Sequence, residues 1–109
     1  MLHTILLTAN NATDVSALRG KVISYVKLHL LDRNDLSSCI LKFYNENSEN
    51  GDIAWLKLVK PGFNTAQVLV PDQDACFFVM DYDRCVVTDS NGQMLSGYKF
   101  ALLLTEVAA

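Results

Sequence analysis

Asp81 and Asp83 stand two residues apart in Phe78-Val79-Met80-Asp81-Tyr82-Asp83-Arg84-Cys85-Val86, an otherwise strand-forming stretch. On a β-strand, residues i and i+2 share a face with Cα atoms about 6.5 Å apart. Two carboxylates so placed could bind a hard cation together or divide acid and base work. They do not open a calcium loop, which needs Gly at its sixth position and Glu at its twelfth. Val86 and Gly92 stand there instead. The plain alternative is a strand break or sheet edge, where charge discourages pairing with another chain. That is the expectation here, so Asp81 and Asp83 are marked for attention and assigned no role.

The same string resembles the first motif of the haloacid-dehalogenase-like phosphatases, an apolar strand running into Asp-x-Asp. The resemblance implies a metal-assisted hydrolase using Asp81 and Asp83. It departs at Arg84-Cys85, where the family has Gly-Thr. The family also places a large parallel α/β domain after the motif, and 26 residues follow Asp83.

Other catalytic patterns are missing. Nucleophilic catalysis needs Ser or Cys beside a His that a third group orients. The chain has His3 and His29 and no Gly-x-Ser-x-Gly. Cys39, Cys76 and Cys85 form no Cys-x-x-Cys, so zinc ligation is not expected. The five glycines never cluster into a phosphate-cradling loop. The sequence therefore assigns no catalytic residue, metal ligand or cofactor, and a non-enzyme is expected.

A softer signal points to a partner. The polar segment 45–52 carries Glu46, Glu49 and Asp52 with no compensating base, and Trp55 follows it. Acidic groups beside an exposed aromatic suit docking on a basic protein surface. Phe43-Tyr44 and Phe77-Phe78 are adjacent pairs, so on strands one member of each must face away from a one-sided core. An alternative is a small-molecule cleft between sheet and helix, lined by Tyr25, His29 and Trp55.

These groups must be positioned by the elements around them. Residues 4–9 read as a strand. Residues 13–31 read as a helix, with Val15, Leu18, Val22, Tyr25, Val26, His29 and Leu30 on one face and Thr13 or Asp14 as N-cap. Gly20 and the β-branched residues weigh against it. The competing reading is a strand over 22–31, with Val22, Ser24, Val26, Leu28 and Leu30 on one face. Strands are expected at 39–44, 53–60, 65–70, 76–81, 85–88 and 98–105, with 39–44 and 53–60 forming a hairpin. Ser90-Asn91-Gly92 reads as a turn in which both Asn91 and Gly92 take positive φ. The expected class is α+β: an antiparallel sheet of five to six strands with one N-terminal helix packed on it. If 13–31 is strand, the class becomes an all-β sandwich or barrel.

The 109 residues suit one domain, 1–109. Net charge is −3 with nine scattered Lys and Arg, which disfavours nucleic acid and anionic membrane. No run is long enough to span a bilayer and no signal peptide is evident, so a cytoplasmic location is expected. The three cysteines, all in apolar runs, suit reduced core thiols. At 19% charged residues the surface is lean in charge, so some apolar area is expected to meet another protein or a second copy in a homodimer. The functional expectation is a small protein-binding module of the inhibitor, immunity or adaptor kind.

Overall fold

The computed structural model describes residues 1–8, 11–47, 53–61, 67–72 and 77–107. Among them the chain is almost entirely β. The strands are β1 (Leu2–Thr8), β2 (Thr13–Asp14), β3 (Val22–Leu30), β4 (Ser38–Tyr44), β5 (Ile53–Val59), β6 (Val68–Pro71), β7 (Phe78–Val79), β8 (Arg84–Thr88) and β9 (Lys99–Glu106). They form one antiparallel, nearly closed, barrel-like sheet in the order β1-β9-β3-β6-β5-β4-β8-β2, with β7 on β3.

The expected N-terminal helix is overturned, and with it the α+β class. Residues 13–31 hold the two-residue β2, one 3₁₀ turn (Ser16–Leu18) and the nine-residue β3. Gly20, at φ +86°, sits between them in a conformation closed to an α-helix. A register shift between Ile23 and Tyr25 explains the misleading periodicity. A bulge adds one residue to the strand. Ile23 and Val26, three apart, therefore both point inward, followed by Leu28 and Leu30. Spacings of three and then two imitate one face of a helix.

Two connections roll the sheet. Strand β6 pairs with β3 on one side and β5 on the other. The bent run from β7 to β8 pairs first with β3 and then with β4. The interior holds Phe43, Leu41, Leu58, Leu69, Phe100 and Leu102, all essentially inaccessible to solvent. Each such side chain contributes about 1.5–3 kcal/mol relative to exposure. Of the adjacent aromatics, Phe78 packs inward with its ring 5.6 Å from that of Phe43, while Phe77 is 69% exposed. Cys39 and Cys85 are free and buried among these residues, and burial pushes both thiols up to about 12.

The Ser90-Asn91-Gly92 turn forms, with Gly92 alone at positive φ, +83°. The Asp89 carboxylate fixes it by accepting the N–H groups of Asn91 (2.8 Å) and Gln93 (2.9 Å). Among the described residues no helix is long and apolar enough to cross a membrane.

Candidate functional site

Pairing of Tyr44 with Arg84 carries Asn45 and Glu46, just past the end of β4, alongside Asp81-Tyr82-Asp83, just before β8. The two segments are tied by polar contacts. Asn45 Oδ1 accepts the Asp83 N–H at 3.1 Å and an Arg19 guanidinium N–H at 2.6 Å, while Asn45 Nδ2 donates to the Asp81 carbonyl at 3.1 Å. The Asp83 carboxylate accepts the Glu46 N–H at 2.9 Å and lies 4.0 Å from Arg19. An open cleft of about 340 Å³ lies here, lined by Arg19, Asn45, Ile53, Asp81 and Tyr82.

Residues 80–83 lie between β7 and β8, not on a strand. The two carboxylates consequently lack the shared strand face that joint acid–base or metal chemistry would use. Asp83 serves as a structural acceptor, and Asp81 is exposed at the rim. Among the described residues no three His, Cys, Asp or Glu side chains converge to hold a metal ion.

Beside this bend, the outer face of β4 and β5 carries an aromatic–cation group. Lys42 pairs with Trp55 and Tyr44 with Ile53. The Lys42 ammonium lies 5.2 Å from the Trp55 ring and 5.5 Å from the Tyr44 ring. Trp55 is 57% exposed. An ammonium over these rings gains about 0.5–1 kcal/mol at an exposed site. The rim is ionic. Arg84 contacts Glu46 at 2.6 Å and Asp14 at 3.2 Å. Hydrogen bonds from Ser16, with further help from Arg84, hold the Asp14 carboxyl below its usual range, and Glu46 raises the Arg84 guanidinium.

Of the expected partner surface, the structure places Trp55 exposed on β5 and Glu46 just past β4, paired with Arg84. Glu49 and Asp52 lie outside the described residues. The expected sheet–helix cleft has lost its helix. Tyr25 and His29 lie on β3 and Trp55 on β5, strands separated by β6. Sequence reasoning missed Lys42, Tyr44 and Arg84. The first two could have been found, because in the expected 39–44/53–60 hairpin Lys42 and Tyr44 share a strand face, as do Ile53 and Trp55.

No family model, curated protein or solved structure matches this chain.

Proposed function

We propose that this domain is a non-enzymatic protein-binding module whose contact surface is the outer face of β4 and β5. The observation that carries the reading is Trp55, more than half exposed on the outer sheet face with the Lys42 ammonium 5.2 Å from its ring. Tryptophan and tyrosine dominate protein contacts because they present large area at small entropic cost. Tyr44 and Ile53 extend the apolar centre, and the Glu46–Arg84–Asp14 ion pairs form a polar rim. An apolar centre with a charged rim is the anatomy of a transient interface.

The test is comparative capture on immobilised domain. A partner retained by the native chain should be lost by Trp55→Ala and weakened by Glu46→Lys, with both variants melting within a few degrees of the native protein. Equal recovery on all three would remove this face from the interface.

A further inference from the structure

The opposite side of the barrel carries a second surface, independent of the Trp55 face. Strand β1 pairs with β9 along one edge, through seven consecutive residue pairs. Among the described residues nothing pairs with its other edge.

Which backbone groups face outward follows from hydrogen-bond parity. Met1 and Glu106 exchange both main-chain hydrogen bonds, at 3.0 and 2.8 Å. Such exchanging pairs alternate along an antiparallel ladder. His3, Ile5 and Leu7 therefore bond β9, while the N–H and C=O groups of Leu2, Thr4, Leu6 and Thr8 point away from it. The Thr8 carbonyl is taken by the N–H of Asn11 at 3.1 Å. The open edge is thus Leu2-x-Thr4-x-Leu6. These same three side chains stand on the exposed outer face, with Leu2 at 57% and Leu6 at 71% exposure.

Leu-x-Thr-x-Leu reads the same in both directions. A two-fold contact requires that if residue i meets j, then j meets i. Antiparallel pairing of two copies about an axis through Thr4 meets that condition. Leu2 of each copy faces Leu6 of the other, and the two Thr4 residues face each other. All three pairs are of the exchanging kind and contribute two hydrogen bonds each. Leu–Leu and Thr–Thr are both favourable cross-strand neighbours. Nothing on β1 opposes pairing: it has no Lys, Asp, Glu or Pro and no bulge. The basic groups on this outer face, Lys27 on β3 and Lys99 on β9, lie one or two strands further from the axis, so like charges do not meet across it.

We propose that the partner of the β1 edge is a second copy of this chain, joined through an antiparallel β1–β1 pair centred on Thr4 into one continuous sheet. A seven-residue edge is small beside a standard interface of about 1,200–2,000 Å², so the dimer is weak. Sedimentation equilibrium from about 1 μM to about 1 mM brackets the corresponding affinities. The native chain should show a monomer–dimer equilibrium. Thr4→Lys places two ammonium groups face to face on the axis and should weaken it at least tenfold. Leu2→Lys and Leu6→Glu should each weaken it, and the double variant should recover it, since each new lysine then faces a new glutamate in the other copy. Trp55→Ala should leave it unchanged, which separates this contact from the β4–β5 surface. Circular dichroism confirms that each variant is folded. A native chain that stays monomeric at 1 mM, a dimer indifferent to Thr4→Lys, or a double variant no better than its parents would overturn the proposal.

Discussion

Asn45 and Asp83 clasp the two sides of one barrel end. The Asp83 N–H donates to Asn45 Oδ1 at 3.1 Å, and the Asp83 carboxylate returns the contact by accepting the Glu46 N–H at 2.9 Å. Asp83, and not Asp81, is therefore the side chain that fastens the bend. It lets one run of chain pair with β3 at its start and with β4 at its end.

Asn45→Ala removes the acceptor for Arg19 and Asp83 and the donor to Asp81 in one step. The expected loss is about 1–2 kcal/mol, since the part-buried Asp83 N–H loses its acceptor and two exposed hydrogen bonds go with it. Asp81→Asn keeps the carbonyl that Asn45 uses and should change stability by less than about 0.5 kcal/mol. Urea unfolding of both variants separates the roles. Equal losses would mean that Asn45 is not the clasp.

Acid should loosen the contact between the β1 start and the β9 end. The Glu106 carboxylate meets His3 at 2.8 Å and Lys21 at 3.5 Å, which places it below its ordinary range. A carboxyl with a lowered folded pKa contributes stability that is fully present above its unfolded value. That contribution is lost as pH falls through the folded one. Asp14 and Asp35 are lowered too, the latter chiefly by Arg33, so they act in the same direction. The melting temperature should hold down to about pH 5 and fall below about pH 4. Glu106→Gln should flatten part of that fall.

Burial keeps Cys39 and Cys85 protonated, with thiols pushed up to about 12. Only the thiolate attacks a disulfide reagent. In a Cys76→Ser background, both remaining thiols should resist such a reagent at pH 8 until denaturant is added. Rapid native labelling would show that this part of the barrel opens.

Phe43 lies in the core with its ring centroid 5.6 and 6.4 Å from those of Phe78 and Tyr82. Phe43→Ala should cost about 3–5 kcal/mol in chemical denaturation. Phe77→Ala, one residue from Phe78 but exposed, should cost less than about 0.5 kcal/mol. Similar losses at both sites would contradict the inward and outward assignment.

The β4–β5 hairpin was legible in the sequence because its alternation is local and uninterrupted. Cys39, Leu41 and Phe43 point in, and Lys42 and Tyr44 point out. The stretch 13–31 was not legible, because one bulged residue converts a two-residue period into a three-residue step. The bend could not be read at all. Arg19, Asn45 and Asp83 are drawn from segments 26 and 38 residues apart, and no local pattern encodes their meeting. The sequence did mark Glu46 and Trp55 as companions. The strand register that places Lys42 beside Trp55 emerged only from the folded sheet.

The position of Trp55 also decides what light can report about this molecule. It is the one tryptophan in the chain, and its indole stands mostly in water. Native emission should already lie near the wavelength of the unfolded chain, so unfolding will shift it little. Covering the β4–β5 face should move the emission to the blue, making the native protein an unlabelled optical probe of its own contacts.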